Sequence, residues 1–397
     1  MVRQATLLTE LQSIAGAENV RPGDDEFAVD GVAPQAVVRP ATAEAAAAVV
    51  RHANANKLAV IPIGGKQRGG PGNVPARYDI GLDVTALSEI IEYEPGDLTI
   101  TCGAGITLGE LRKATAAAGQ MVPFDPEIAG EASVGGVLAA DLWGPSRVSL
   151  GGPRDFTIGL RVITGDGLIT RAGGRVVKNV AGYDLCKLYV GSLGTLAVIT
   201  EATFKVQPLP KATRELAFTA ALAADACGIA GESLMRGLSL QSAVVTRANE
   251  RWRLDITLAG SEAAVERSAR EIASLSGDRG QETRDKAGHA EGGPIGVRVA
   301  APPSELPALL EGLPGDSHFL AYPTLGVVRM RLRDEGELPP LVAMGAVVED
   351  APPDVKRRID VFGPEPASSA AGGLVRSIKA QLDPNGVLSP GRFVGRL

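Results

Sequence analysis

The chain has 397 residues, enough for about two or three domains with a substantial core. A hydrophobic fraction of 45%, together with 49 glycines and 27 prolines, favours a loop-rich globular protein of the α+β class. A net charge of −6 and an aromatic fraction of 4% argue against a nucleic-acid partner. Phosphate backbones need a basic face, and unpaired bases need aromatic platforms.

The three cysteines, Cys102, Cys186 and Cys227, are far apart and form no CxxC pair. We therefore predict no metal site or iron–sulfur cluster in this chain, and a reduced, cytoplasmic setting. The N-terminus lacks the apolar core of a secretion signal, and no run of about 18 apolar residues predicts a transmembrane segment.

The first elements lead to a glycine-rich segment. The pattern predicts a helix over 4–16, a strand over 36–39, and a helix over 43–56 that Thr42 can cap. A buried strand over 58–63 then runs into Gly64-Gly65-Lys66-Gln67-Arg68-Gly69-Gly70. Successive backbone N–H groups in such a segment can hold phosphate oxygens, although a flexible turn explains the same glycines.

A second glycine pair follows further along the chain. Strands are predicted over 78–83 and 98–102, and Thr107 can cap a helix over 108–118. The segment Ser133-Val134-Gly135-Gly136 then places two glycines among small and apolar residues. Two glycine loops from different parts of the chain could hold the two phosphates of one dinucleotide from opposite sides.

The rest of the chain predicts a hairpin, a central strand and a second domain. The hairpin joins 156–164 to 168–172 across an Asp-Gly turn, and 195–206 reads as a strand after a short helix over 184–189. Further predicted elements are strands over 251–258, 295–300, 317–322 and 327–332, and helices over 261–274 and 374–382. We expect a first domain over 1–210 with subdomains of about 34–95 and 96–210, a cap over 211–355, and a returning segment over 356–397.

Five motifs in this order resemble those of the FAD-binding oxidoreductases of the vanillyl-alcohol oxidase (PCMH-type) superfamily. They are Pro62-Ile63-Gly64-Gly65, Ser133-Val134-Gly135-Gly136, Gly151 with Arg154-Asp155-Phe156, residues 177–184 with 191–196, and Pro390-Gly391-Arg392. The resemblance covers roughly 34–210 and 374–397. It is strongest to the FAD-binding subunits of glycolate oxidases.

The resemblance implies an FAD extended between two α+β subdomains, with a separate cap. The residues that it assigns to the cofactor are Pro62, Ile63, Gly64, Gly65, Lys66, Gln67, Pro126, Ser133, Val134, Gly135, Gly136, Ala140, Gly151, Asp155, Lys178, Val198, Ile199 and Arg392. Many relatives attach FAD through a histidine near the first loop. Because Lys66 and Gln67 stand there instead, we expect noncovalent FAD.

The implied function is that of a subunit in a complex that oxidises 2-hydroxy acids such as glycolate. It would pass electrons to a partner, with a sister flavin subunit and an iron–sulfur subunit, and would lie at most peripherally on a membrane through them. The histidines, His52, His289 and His318, show no H-x-H spacing, so no catalytic residue or metal ligand is predicted.

Two alternatives remain open at this point. The chain could be a self-sufficient flavin dehydrogenase for another hydroxylated substrate, whose carboxylate Arg329 and Arg331 would bind from one face of a strand. It could also be a scaffold subunit that has kept the fold and lost the flavin.

Overall fold

A computed structural model describes residues 2–65, 71–126, 130–175, 183–248, 250–282, 292–363 and 370–397. Contacts divide the chain into two compact units. The first unit is Met1–Leu142, Gly152–Pro208 and Pro352–Leu397, and the second unit is Trp143–Gly151 and Leu209–Ala351. The domain boundaries predicted from the sequence are 210 and 355, and that prediction keeps 143–151 in the first domain.

The α-helices begin and end at the following residues. They are α1 (Val2–Ala15), α2 (Ala43–Asn56), α3 (Leu108–Ala117), α4 (Val134–Ala139), α5 (Arg147–Leu150), α6 (Pro153–Phe156), α7 (Cys186–Tyr189), α8 (Ala223–Met235), α9 (Glu262–Ser276), α10 (Leu306–Glu311), α11 (Leu338–Ala343), α12 (Pro353–Arg358) and α13 (Ala370–Leu382).

The strands of the first unit are β1 (Val20–Pro22), β2 (Ala36–Val38), β3 (Val60–Ile63), β4 (Ile80–Asp83), β5 (Ile90–Glu94), β6 (Thr99–Gly103), β7 (Gln120–Met121), β8 (Thr157–Ile163), β9 (Ile169–Gly173), β10 (Val198–Lys205) and β11 (Gln207–Pro208). Those of the second unit are β12 (Ala212–Ala220), β13 (Leu240–Ala248), β14 (Arg251–Gly260), β15 (Gln281–Glu282), β16 (Ile295–Ala300), β17 (His318–Tyr322), β18 (Val327–Leu332) and β19 (Val347–Asp350).

The first sheet has the order β1-β2-β4-β3, and β4 runs parallel to both β2 and β3. Side chains alternate across it because successive residues of a strand point to opposite faces. Ala36, Val38 and Val60 pack into one core with residues of α1 and α2. Val37 and Ile61 belong to a separate cluster with Phe27, Ile63 and Tyr78. This second face is the one that borders the site described below.

The second sheet of the first unit is antiparallel, in the order β5-β6-β10-β8-β9. Its central strand, β10, pairs Ala202 with Cys102 on one side and with Leu160 on the other. The core on this sheet includes Leu108 and Leu111 of α3 and Val137 and Leu138 of α4. This packing fixes α4 in place.

The C-terminal tail returns to the first sheet. Val60 N–H donates to Val387 O (2.8 Å), and Ser389 N–H donates to Val60 O (2.9 Å). Leu388 therefore forms a parallel bridge with Val60 of β3. This attachment brings Arg392 beside the segment that follows β3.

The second unit is built on an eight-stranded antiparallel sheet, in the order β15-β12-β14-β13-β17-β18-β16-β19. Helices α8 and α9 pack on it through buried side chains such as Ile229 and Ile272. With its sheets and helices, the described chain confirms the predicted α+β class. No helix within the described residues has both the length and the apolar character needed to cross a bilayer.

Candidate cofactor site

A cavity of ≈ 300 Å³ lies within the first unit. Its walls come from segments that are far apart in sequence, namely the end of β3, helix α4, the residues before β2 and the C-terminal tail. Its described lining residues are Glu26, Phe27, Ala28, Val29, Ile61, Pro62, Ile63, Gly64, Gly65, Pro71, Ala132, Ser133, Gly136, Val137, Ala139, Ala140, Leu142, Leu193 and Arg392.

The first glycine segment forms one wall directly after β3. Gly64 lies so close to Ser133 that a Cβ at position 64 would collide with the Ser133 hydroxyl. Gly65 N–H donates to that hydroxyl at 3.2 Å. The two predicted glycine segments therefore meet at Ser133. Lys66 and Gln67, which were also predicted to bind the cofactor, lie outside the described residues.

The second glycine segment is the first turn of α4 rather than a loop. Ser133 is its N-cap, and the hydroxyl accepts a hydrogen bond from Gly136 N–H at 3.3 Å. The sequence interpretation treated Gly135 and Gly136 as loop residues, but this cap and the packing of Val137 and Leu138 outweigh the low helix propensity of glycine.

Helix α4 turns a face of small residues to the cavity. Ser133, Gly136, Val137 and Ala140 line it, at the i, i+3, i+4 and i+7 spacing of one helix face. The N–H groups of Val134 and Gly135 donate to Ile106 O (2.9 Å) and Ala104 O (2.7 Å). These two predicted contact residues are therefore bonded to protein on the buried side of the helix.

Arg392 is the one positively charged residue among the described lining residues. Its side chain is 7% exposed. It donates to Asp30 Oδ2 at 3.4 Å and to Pro71 O at 2.5 Å. Burial lowers the pKa of Arg392, and the Asp30 carboxylate opposes this effect. Burial also raises the pKa of Asp30, against the opposing influence of Lys356 and Arg392.

Several predicted residues do not lie among the described lining residues. Val198 and Ile199 are buried in β10, Pro126 is buried elsewhere, and Gly151 belongs to the second unit with φ 81. The Asp155 carboxylate accepts a hydrogen bond from Gly152 N–H (2.8 Å) at the start of α6. Lys178 lies outside the described residues.

Other lining or neighbouring residues were missed by sequence reasoning. Phe27 and Val29 line the cavity, and Asp30 contacts both Arg392 and Lys356. A signal for this segment was present, because Asp30-Gly31 is an Asp-Gly turn. Its φ values are 50 and 77, and Val29 and Val32 form a bridge across it. Nothing in the sequence indicated that it would meet Arg392.

The second unit holds the two arginines that were considered for a substrate carboxylate. The Arg329 guanidinium lies 4.4 Å from the Trp143 ring centre, and its Nε lies 3.2 Å from Glu349. Arg331 pairs with Asp350 at 3.1 Å. Both arginines are thus ion-paired within this unit. No three His, Cys, Asp or Glu side chains come together as a metal site in the described parts of the chain, and His289 lies outside them.

The residues that line the cavity suit part of the flavin nucleotide that the motifs imply. Apolar side chains such as Phe27, Ile61 and Leu142 can border a flat ring system. The small residues Gly64, Gly65 and Gly136 allow close approach, and the buried Arg392 offers donors to an anionic group.

Comparison with known proteins agrees with this geometry. Residues 34–173 match the family model described as "FAD binding domain". Residues 34–173 are thus similar to FAD-binding domains. The match confirms the cofactor that the sequence motifs predicted.

The chain is also similar to hydroxy-acid enzymes over part of its length. Glycolate oxidase subunit GlcE of Escherichia coli is 48% identical over 136 residues, which are 34% of this chain and 39% of that protein. D-2-hydroxyglutarate dehydrogenase of Xanthomonas citri is 34% identical over 177 residues, which are 45% of this chain and 38% of that protein. The matched stretches thus span about two fifths of these relatives.

Solved structures show that the fold extends beyond the FAD-binding domain. p-Cresol methylhydroxylase with substrate bound superposes with a TM-score of 0.75 at 16% identity, over 98% of this chain and 96% of that chain. A 4-ethylphenol oxidase from Gulosibacter chungangensis gives a TM-score of 0.73 at 15% identity, over 99% and 97% of the two chains. The fold is that of these PCMH-type flavoproteins.

Proposed function

We propose that the chain is the FAD-binding subunit of a complex that oxidises the CH–OH group of 2-hydroxy acids such as glycolate. The observation that carries the proposal is the cavity between Gly64, Gly65 and helix α4, with Arg392 in its wall. The similarity to a glycolate oxidase subunit supports the substrate class. When bound, FAD supplies the acceptor for a hydride from the carbon that carries the hydroxyl group.

The chain's own residues bind and enclose the cofactor in this proposal. Pro62, Ile63, Gly64 and Gly65 lie on one side, and Ser133, Gly136 and Ala140 lie on the other. Arg392 pairs with an anionic group of FAD. Apolar wall residues such as Phe27, Ile61 and Leu142 keep water from the ring. We also retain Lys66, Gln67 and Lys178 as proposed contacts.

We propose that FAD is held without a covalent bond. The described lining residues include no His, Cys or Tyr, and the sequence Lys66-Gln67-Arg68-Gly69-Gly70 adds none. Acid precipitation of the flavin-loaded protein should therefore release all flavin into the supernatant. Flavin that stays with the precipitate would contradict this part of the proposal.

The partners in this proposal are a sister flavin subunit and an iron–sulfur subunit. The similarity to a protein named as a glycolate oxidase subunit supports assembly into a complex. We place the complex in the cytoplasm, with any membrane contact made through the partners. Co-purification of the tagged chain from its native cells tests the assembly. Recovery of the chain alone, with full glycolate turnover, would contradict it.

The decisive experiment for the function uses the visible spectrum. The purified chain is reconstituted with FAD and mixed anaerobically with glycolate, D-lactate or D-2-hydroxyglutarate, with and without co-expressed partners. We expect flavin bands in the chain and their bleaching by a 2-hydroxy acid in the complex. Failure of the chain to take up FAD would overturn the proposal and would instead favour a scaffold subunit.

A self-sufficient dehydrogenase is the second candidate. Its support comes from the similarity to D-2-hydroxyglutarate dehydrogenase, whose name does not designate a subunit. Bleaching of the flavin in the isolated chain by one of the three acids would favour this candidate.

A further inference from the structure

Asp30 is a buried carboxylate that two buried cations share. Lys356 Nζ lies 2.8 Å from Asp30 Oδ1, and Arg392 Nη1 lies 3.4 Å from Oδ2. The side chains of Asp30 and Lys356 are 2% and 1% exposed, so bulk water screens neither charge well. The shorter distance gives Lys356 the stronger attraction to the carboxylate, and Asp30 therefore compensates Arg392 only in part.

Local backbone geometry holds Asp30 in place. Asp30 and Gly31 have φ values of 50 and 77 in the turn that the Val29–Val32 bridge closes. Val29 lines the cavity, while Asp30 and Lys356 are not among the described lining residues. The turn thus fixes the Asp30 carboxylate directly after Val29 in sequence and outside the set of residues that line the cavity.

Arg392, in contrast, lies in that wall. The structure brings its guanidinium to two protein acceptors, Asp30 Oδ2 and Pro71 O. A guanidinium has five N–H donors, so it can also donate to a ligand. Its position is braced at the backbone as well, since Asn73 N–H donates to Arg392 O at 3.0 Å.

We propose that Asp30 and Lys356 are positioning residues for Arg392. Lys356 competes for the Asp30 carboxylate, so the positive charge of Arg392 is only partly compensated by protein and attracts an anionic group of bound FAD. The inference rests on the proposed function in that it takes FAD as the ligand of the cavity. It goes beyond that function because it assigns a role in cofactor affinity to two residues outside the cavity wall.

The test is a double-mutant cycle on FAD affinity. The full-length chain is stripped of flavin and titrated with FAD, and the dissociation constant is read from flavin fluorescence. We expect Arg392→Gln to weaken binding about a hundredfold, because it removes the cation itself. Lys356→Met should weaken FAD binding about tenfold, because the charge of the Asp30 carboxylate then compensates that of Arg392 alone.

The second step of the test removes the Asp30 carboxylate from the Lys356→Met variant. Asp30→Asn combined with Lys356→Met should restore the dissociation constant to within about threefold of wild type, since no acid then competes for Arg392. Asparagine suits this position because it tolerates a positive φ. In the Arg392→Gln background, Lys356→Met should have no further effect on FAD affinity.

A matched control separates this role from general loss of stability. Asp383 is also a buried carboxylate paired with a buried lysine of the first unit, and neither residue is among the described lining residues. Asp383→Asn should lower the melting temperature and leave the FAD dissociation constant within about twofold of wild type. If Lys356→Met does not fold, Lys356→Gln replaces it in both arms of the cycle.

Three results would overturn the inference. The first is an unchanged FAD dissociation constant in Lys356→Met. The second is an Asp30→Asn, Lys356→Met double variant that binds FAD as weakly as Lys356→Met alone. The third is a loss of FAD affinity in Asp383→Asn as large as that in Lys356→Met. If the wild-type chain itself binds no FAD, the proposed function fails instead.

Discussion

The first unit contains two buried charged clusters that differ in one respect. Lys379 Nζ donates to Asp383 Oδ2 (2.5 Å), Thr195 O (2.7 Å) and Leu388 O (2.9 Å). An ammonium group has three N–H donors, so protein acceptors satisfy all of them. Arg392 has five donors, and the structure gives it two protein acceptors, Asp30 and Pro71. The cluster around Lys379 is closed, whereas the cluster around Arg392 faces a cavity.

This difference separates stability from ligand binding. The closed cluster joins α13 to the tail, since Asp383 also accepts hydrogen bonds from Val387 N–H (3.0 Å) and Leu388 N–H (2.8 Å). The cluster therefore stabilises the end of α13 and the residues that directly follow it. The open cluster retains donors that a cofactor can use. Substitutions in the closed cluster around Lys379 should change the free energy of unfolding, whereas substitutions in the open cluster around Arg392 should change FAD affinity.

The largest expected effect is on stability, at Lys379. Lys379→Met removes one partner of a buried ion pair and leaves the carbonyls of Thr195 and Leu388 without their donor. We expect a loss of about 3–5 kcal/mol in the free energy of unfolding, measured by urea denaturation. The FAD dissociation constant of the folded fraction should stay within about twofold of wild type.

A loss of less than about 1 kcal/mol would contradict the closed-cluster interpretation, because exposed ion pairs contribute that little. Lys113 provides a control substitution. It is an exposed lysine of α3 that lies outside both clusters, so Lys113→Met should leave the free energy of unfolding within about 0.5 kcal/mol of wild type.

The next effect concerns the contact between the two glycine segments. Gly64→Ala places a Cβ against the Ser133 hydroxyl, so either this hydroxyl leaves the N–H groups of Gly65 and Gly136 or β3 and α4 move apart. We expect a stability loss of about 1–3 kcal/mol and weaker FAD binding, measured by denaturation and by flavin fluorescence. In a Ser133→Ala background the collision with the hydroxyl is gone, and the additional loss from Gly64→Ala should be smaller.

Gly96 supplies the matched glycine. A Cβ there meets no other atom within 4 Å, so Gly96→Ala should change stability by less than about 1 kcal/mol and leave FAD affinity unchanged. Equal losses in the two glycine variants would show that the Gly64–Ser133 contact does not matter.

Elements with a local signal were predicted well from the sequence. Helix α2 has the predicted bounds because Thr42 caps it and an apolar face runs through Ala46 and Val50. Strands β16 and β18 also match, because runs such as Val327–Leu332 carry the branched side chains that favour strands. The glycine pair in the first turn of α4 is predicted as a loop from the sequence, whereas packing, which the sequence does not display, stabilises the helix there.

The predicted contacts that line the cavity come mainly from short motifs. Pro62 to Gly65, Ser133, Gly136 and Arg392 belong to three such motifs, and Ala140 follows the second of them by one turn of α4. Phe27 and Asp30 come from an N-terminal segment outside the region of resemblance, and Lys356 comes from α12. Only the tertiary fold brings these segments to Arg392, so no local pattern could have grouped them.

The smallest expected effect is at Arg331 in the second unit. Arg331 and Asp350 are each 47% exposed, so their pair resembles neither buried cluster. Arg331→Ala should cost no more than about 1 kcal/mol of unfolding free energy, because solvent screens such pairs. Arg329→Ala should cost more, because Arg329 is 12% exposed, stacks on Trp143 and pairs with Glu349.

If Arg331 only pairs with Asp350, the KM for 2-hydroxy acids also stays unchanged in Arg331→Ala. A tenfold rise in KM would mean that Arg331 binds the substrate carboxylate, and the self-sufficient dehydrogenase would then become the better description of this chain.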